Sequence, residues 1–108
     1  MSRIERIMVP GLMAPVSHYT HLTKAGPHVW VSGLVGMDAK GHVPADTVGQ
    51  FDIAMDAMRQ CLAAAGAGPE HVVKVLVFMT DIAERPLLNP RRIAFFGAPR
   101  PASTLVEE

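Results

Sequence analysis

Few side chains in this sequence have a type and spacing that would support catalysis by themselves. Cys61, the single cysteine, lies beside an apolar helical stripe and is expected to be a small buried hydrophobe rather than a nucleophile. No Ser-His-Asp arrangement can be assembled from the chain order. The five histidines are scattered, with no ligand spacing on a predicted helix: His18, His21, His28, His42 and His71. The sequence therefore gives no indication of a metal site.

Length, composition and charge indicate the general class of protein. A chain of 108 residues with 49% hydrophobic residues is expected to be one globular domain, spanning residues 1–108. Ten basic residues balance ten acidic ones, so the charge gives no reason to bind nucleic acid or an anionic membrane. Because no signal-peptide pattern and no long apolar run is found, a cytoplasmic location is expected.

The strongest strand signal is the valine-rich run Val72–Met79, which is typical of a strand covered on both faces. An amphipathic helix precedes it, and another valine-rich strand, His28–Leu34, comes before that helix. A strand, a helix and a strand in this order predict a right-handed crossover with both strands parallel in one sheet. The apolar stripe of the helix has a helical period and consists of Phe51, Ala54, Met55, Met58, Leu62 and Ala65.

The ends of this helix also carry signals. Thr47 and Gln50 have capping-box spacing, and Gly66 suits the C-terminal stop. Further along, Asn89 followed by Pro90 predicts an N-cap and the start of a short helix that Gly97 stops.

The remaining elements complete an α+β pattern. Ile4–Val9 is predicted to be an edge strand, and Tyr19–Ala25 is predicted to form an antiparallel hairpin with His28–Leu34 through the turn Gly26-Pro27. Ala102–Val106 is predicted to be the last strand. Gly33, at the end of the third strand, favours a bulge or a close approach of the backbone to another group.

Five stretches, in order along nearly the whole chain, resemble the RidA/YjgF family, formerly the L-PSP ribonuclease family. They are Pro15–Tyr19 (PVSHY), Val29–Gly33 (VWVSG), Val73–Asp81 (VKVLVFMTD), Asn89, and Pro101–Glu107 (PASTLVE). The resemblance implies a chorismate-mutase-like fold, with a mixed β-sheet, two helices packed on one face, and a chain that ends before the family's last strand. It also implies a homotrimer with a ligand cleft between neighbouring subunits.

The resemblance assigns ligand-binding positions, while no catalytic residue is identified. Tyr19 matches a cleft-lining tyrosine, and the resemblance favours this role over that of a surface or interface aromatic. Gly33, after Ser32, matches a glycine whose backbone approaches the ligand. Asn89 matches an asparagine near the site, although a helix cap alone would explain it.

One position departs from the family pattern. Ser103 stands where the family has the arginine that binds the substrate carboxylate, and serine cannot replace that charge. Arg100, three residues earlier, is a candidate substitute, although most single arginines are simply solvated. Backbone donors near Ser103 and Thr104 are candidates to bind a substrate oxygen. Glu107 matches an earlier family glutamate and not the water-positioning one.

Family members typically hydrolyse reactive imines and enamines to keto compounds and ammonia without metal or cofactor. The resemblance thus favours a deaminase of a small imine or enamine that binds no nucleic acid or membrane. The departure at Ser103 keeps a second hypothesis open, a trimeric module that binds small carboxylic acids without turnover. A ribonuclease, as in the old family name, ranks third because the sequence offers no basic or aromatic stacking surface.

Overall fold

Three short strands form the sheet in the first part of the chain. A computed structural model, which describes residues 3–108, contains β1 (Ile4–Ile7), β2 (Leu22–Ala25) and β3 (His28–Val31) in one antiparallel sheet with β2 at its centre. The turn between β2 and β3 uses Gly26, whose φ of 58° lies in the left-handed region that favours glycine. The predicted edge strand and hairpin are confirmed, although all three strands are shorter than expected.

The first of two compact units of the chain ends at Ala67, and the helix α1 (Thr47–Ala64) contributes side chains to its core. Cys61 is completely buried and packs in one cluster with Val9, Leu22 and Ala65. Burial raises the pKa of the Cys61 thiol, as expected for a small buried hydrophobe. The apolar period of the sequence therefore identified this helix and its buried face correctly.

The predicted start of α1 needs a correction, while its predicted end is confirmed. Asp46 occupies the N-cap without a side-chain hydrogen bond, and Thr47 is the first helical residue. The Gln50 amide donates to the carbonyl oxygen of Pro44 at 2.9 Å and does not close a capping box. Gly66 follows the helix with a φ of 76°, as a glycine stop requires.

The second unit, Gly68–Glu108, is built on a strand–helix–strand crossover. The strands β4 (Lys74–Met79) and β5 (Ala102–Glu107) pair in parallel, and the helix α2 (Arg85–Phe96) connects them. Short 3₁₀ turns at Pro69–His71 and Ile82–Glu84 precede β4 and α2. The sequence predicted a parallel pair of strands flanking α1, and this expectation was wrong, since β4 takes β5 as its partner. The strand–helix–strand crossover therefore contains α2.

The two faces of β4 differ in exposure. Val75 and Val77 are half-buried and Met79 is buried, whereas Leu76 and Phe78 are 56% and 58% exposed. Within the single chain only one face of β4 is covered, so the prediction that both faces are covered holds for that face alone. The continuous apolar run predicted a strand buried on both faces, because such runs are typical of strands covered on both sides.

The start of α2 also differs from the prediction. The helix begins at Arg85, so Asn89 lies inside it and caps nothing. Pro86 is the proline of the first turn, and Pro90 lies inside the helix. Two prolines four residues apart offered two possible starts, and the sequence interpretation took the later one. The predicted stop at Gly97, with a φ of 70°, is confirmed.

Within residues 3–108, no helix is both long and apolar enough to cross a membrane.

Candidate functional site

A cavity of about 340 Å³ in the first unit brings together three of the predicted ligand-binding residues. Tyr19, Ser32 and Gly33 line it, with Ile53 and Ala57 of α1 among the residues of another wall. Tyr19 comes from the loop before β2, and the other two follow directly after β3. The β2–β3 hairpin therefore positions these residues, as expected from their place in the sequence.

Ser32 and Gly33 present different groups to this cavity. The Ser32 backbone N–H donates to the carbonyl oxygen of His21 at 3.0 Å, and its hydroxyl donates to the carbonyl oxygen of Thr20 at 2.6 Å. Both donors of Ser32 are thus used within the chain. The N–H of Gly33 has no hydrogen-bond acceptor among residues 3–108, and the residue is exposed. A backbone donor at Gly33 is therefore free for a ligand.

His21 fixes the loop that closes one side of the cavity. Its ring is buried, its Nδ1 accepts from the Val9 N–H at 2.8 Å, and its Nε2 lies 2.9 Å from the carbonyl oxygen of Met13. Because the Val9 N–H can only donate, Nδ1 must be unprotonated, and the proton on Nε2 is donated to Met13. This tautomer leaves no free ring nitrogen, so His21 supports the site structurally and does not act as a base.

The charged residues that line the cavity are all acidic: Asp38, Asp52 and Asp56. Asp56 is paired with Arg59 at 2.8 Å and accepts from the Gln60 amide at 2.9 Å. Asp38 accepts the backbone N–H groups of His42 and Lys40, and these hydrogen bonds lower the pKa of its carboxyl group. This wall favours a positive charge on a ligand and offers no cation to a carboxylate.

In the second unit, an arginine lies beside Ser103, the residue at which the sequence departs from the family pattern. The Nη2 atom of Arg92 donates to the Ser103 hydroxyl oxygen at 2.6 Å, joining α2 to β5. The N–H groups of Ala102 and Glu108 donate to the carbonyl oxygens of Val73, directly before β4, and of Met79. The alternation along a strand therefore directs the Ser103 N–H to the opposite edge of β5. A guanidinium, a hydroxyl and a backbone N–H are therefore grouped at Ser103.

The other predicted residues of this unit are placed differently. Thr104 follows Ser103 in β5 and so points to the opposite face of the sheet, where its hydroxyl accepts from the Lys74 ammonium at 2.7 Å. Arg100 is exposed and has no partner within the described part of the chain. Asn89 is exposed on α2, three residues before Arg92 and therefore close to it on the helix surface.

Arg92 was not among the residues that the sequence singled out. Its spacing of three residues from Asn89 was a usable signal, but only with the helix known to include both. The Oε1 atom of Glu107, which the resemblance does not match to the water-positioning glutamate, accepts from the Ile82 N–H at 2.8 Å. In residues 3–108, no cluster of three or more His, Cys, Asp or Glu side chains could hold a metal ion.

Comparisons with known proteins identify the family to which this fold belongs. The family model of endoribonuclease L-PSP matches residues 11–107. A 2-iminobutanoate/2-iminopropanoate deaminase of Escherichia coli K12 is 31% identical over 98 residues, which cover 87% of this chain and 77% of that protein. The 3-aminoacrylate deaminase RutC of Acinetobacter baylyi is 29% identical over 105 residues, covering 95% of this chain and 83% of that protein.

Solved structures agree with the fold. The crystal structure of RidA from the Antarctic bacterium Psychrobacter sp. superposes with a TM-score of 0.91 at 27% identity, covering 96% of this chain and 85% of that one. The YjgF gene product of E. coli gives a TM-score of 0.88 at 28% identity, with coverage of 96% and 85%. The mixed α+β architecture is thus that of the RidA-type proteins. The chain belongs to the RidA/YjgF family, the family described as endoribonuclease L-PSP.

Proposed function

We propose that this chain is a hydrolytic deaminase of a small imine or enamine, forming a keto compound and ammonia. The chain would act as one RidA-like domain, without metal or cofactor, in a cleft between the subunits of a homotrimer. Relatives named as imine and aminoacrylate deaminases support this reaction class at 29–31% identity.

The observation that carries this proposal is the common cavity wall formed by Tyr19, Ser32 and Gly33. These residues come from two separate stretches of sequence, and the β2–β3 hairpin brings them to one concave surface. The free N–H of Gly33 can donate to a substrate oxygen, and Tyr19 can exclude bulk water from that position. A concave surface with a few directed polar groups is what a small substrate requires.

The acidic lining of the cavity suits the proposed chemistry. Hydrolysis begins when water adds to the carbon of a C=N bond, and that carbon is more electrophilic when the nitrogen is protonated. The carboxylate of Asp38, which accepts from the backbone N–H groups of Lys40 and His42, favours the positively charged iminium over the neutral imine. Proton transfer to the nitrogen of the resulting carbinolamine and cleavage of its C–N bond then release ammonia and leave the carbonyl product.

The exposed face of β4 supports the proposed trimer. Leu76 and Phe78 lie two residues apart and are both more than half exposed, so the single chain leaves adjacent apolar side chains in water. Such a patch is typical of a surface that another subunit covers.

An assay with imines made in place by an amino-acid oxidase tests the proposed activity. A panel of amino acids supplies imines with different side chains, and loss of imine and release of ammonia are followed with and without the protein. Faster loss for any member of the panel is the expected result. No acceleration across the panel, from folded and trimeric protein, would overturn the deaminase proposal for these substrates.

A non-catalytic binding module is the second candidate function, favoured by Ser103 in place of the family's arginine. It predicts thermal stabilisation by small carboxylic acids with no ammonia release from any imine. Ribonuclease activity has little support, because ten basic residues are balanced by ten acidic ones and the lining of the cavity is acidic.

A further inference from the structure

We propose that the face of α1 turned to the cavity forms a pocket for the side chain of the substrate, with Ile53 and Ala57 setting the length of chain that it accepts. The inference rests on the proposed function and deepens it. It names the substrate class, imines whose apolar side chain is longer than a methyl group, and the residues that select it. All the groups that carry the inference belong to the first unit, Met1–Ala67.

The helix α1 has two faces with different surroundings. One face packs into the core, where Cys61 and Leu62 are buried. On the other face, Ile53, Ala57 and Gln60 follow one another at spacings of four and three residues, and all three line the cavity. Ile53 is half-buried, yet it belongs neither to the buried cluster around Cys61 nor to the described residues packed on that cluster. This large apolar side chain therefore borders the cavity without contributing to the core cluster.

The loop after β3 supplies further apolar side chains to the cavity wall. Leu34 and Met37 line the cavity, and both are half-buried. The loop touches α1 directly, since a Cβ atom built on Gly36 would lie 2.4 Å from the Cβ atom of Gln50 and 2.6 Å from its Cα atom. Gln50 precedes Ile53 by three residues and lies on the same side of the helix. The contact at Gly36 thus holds the loop next to Ile53, so that two elements bound one apolar pocket.

Polar groups on this helix face are engaged with one another. The Asp56 carboxylate pairs with Arg59 at 2.8 Å and accepts from the Gln60 amide at 2.9 Å. An apolar chain buried against Ile53 and Ala57 therefore leaves the Asp56 carboxylate with its partners, and the usual penalty for burying an unpaired charge does not arise.

Ala57 provides the room in this pocket. The cavity of about 340 Å³ lies within the range of roughly 300–1,000 Å³ that is typical of small-molecule pockets. Because the side chain of Ala57 ends at its Cβ atom, the space beside the helix stays open to a ligand. Each methylene group of a substrate that leaves water for this space is expected to raise the affinity roughly fourfold. The length of the side chain is therefore the property that the pocket distinguishes.

The test is a binding titration of the full chain with the unbranched keto acids from pyruvate to 2-oxohexanoate, which share their polar groups and differ only in side-chain length. We expect the affinity of the wild type to rise roughly three- to fourfold with each added methylene group. Ala57→Leu, which fills the pocket with a residue of high helix propensity, should abolish the rise beyond 2-oxobutanoate and change the affinity for pyruvate by less than about twofold. Ala63→Leu is the matched control, since Ala63 is exposed on the same helix and does not line the cavity, and it should keep the profile of the wild type.

Equal affinities across the series in the wild type, no binding of any member, or an unchanged profile in Ala57→Leu would overturn the inference. Equal effects of Ala57→Leu and Ala63→Leu would do the same. If Ala57→Leu does not fold, as judged by circular dichroism, Ile53→Ala decides. This variant removes apolar contacts from the pocket and should reduce the gain in affinity per methylene group, and an unchanged gain overturns the role.

The imine assay on the same proteins separates this inference from the proposed function. Turnover that does not depend on side-chain length removes the inference alone. Length-dependent binding without release of ammonia removes only the deaminase proposal.

Discussion

The hydrogen bonds of single residues distinguish the side chains that support the candidate site from the groups that can bind a ligand. His21 and Glu107 have the chemical groups of catalytic residues, yet the acceptors and donors around them use those groups within the chain. The Gly33 N–H and the Arg92 guanidinium, in contrast, retain donors that the described chain does not use. Residue type alone therefore does not show which groups are available to a ligand, because availability depends on neighbours that are distant in sequence.

His21 is expected to be a determinant of stability. Replacing it by phenylalanine removes the acceptor of the buried Val9 N–H and the donor to Met13, so two polar groups lose their partners. We expect His21→Phe to lower the free energy of unfolding by about 2–4 kcal/mol, measured by urea denaturation. His18→Phe is the matched control, since His18 is exposed, and it should change stability by less than about 0.5 kcal/mol. Equal effects of the two substitutions would refute the bridging role of His21.

The elements show which part of the fold hydrophobic patterns can predict. The apolar period located α1 and its buried face. The glycine and proline signals located the β2–β3 turn, and glycines located the C-terminal ends of both helices. The partner of β4 was missed because a parallel pairing depends on a crossover, and the sequence contains a helix on each side of that strand. The start of α2 was missed because local cap signals at Asn89 and Pro90 compete with those of Pro86.

The loop after β3 contains two glycines that the sequence could not tell apart. A methyl group on Gly36 would collide with the backbone of Gln50 in α1, its closest approach being to the Cβ atom of that residue. A methyl group on Gly33 would meet no atom within 4 Å, although the residue lines the cavity. Gly36 thus serves helix packing, and Gly33 leaves room at the candidate site.

A pair of alanine substitutions tests this division. Gly36→Ala should lower the free energy of unfolding by about 1–3 kcal/mol, because α1 and the loop have to separate. Gly33→Ala should leave stability within about 0.5 kcal/mol while reducing imine turnover about tenfold or more, because the added methyl displaces the substrate. Denaturation and the imine assay measure the two effects on the same samples. Loss of stability in Gly33→Ala, or full activity in it, would contradict its assignment to the site.

At the scale of the whole molecule, the question is how many chains form the functional assembly. The sequence addresses this question only through its resemblance to the RidA/YjgF family. The apolar run of β4 predicted a strand covered on both faces, and the single chain covers one. The remaining face, with Leu76 and Phe78, is explained if identical chains pack against one another, as we propose. The apolar pattern of a strand is set by its surroundings in the assembled protein, so it can exceed what one chain buries.

Assembly can therefore be tested at Phe78. A glutamate there would place a charge in the interface that we propose for β4, so Phe78→Glu should weaken self-association by about a hundredfold or more. Sedimentation at micromolar concentration should give a trimer for the wild type and a monomer for the variant. Ile93→Glu is the control: Ile93 is 69% exposed on α2, outside this strand face, and the variant should remain trimeric. A monomeric wild type would remove the proposed cleft between subunits, and a trimeric Phe78→Glu would assign the contact to another surface.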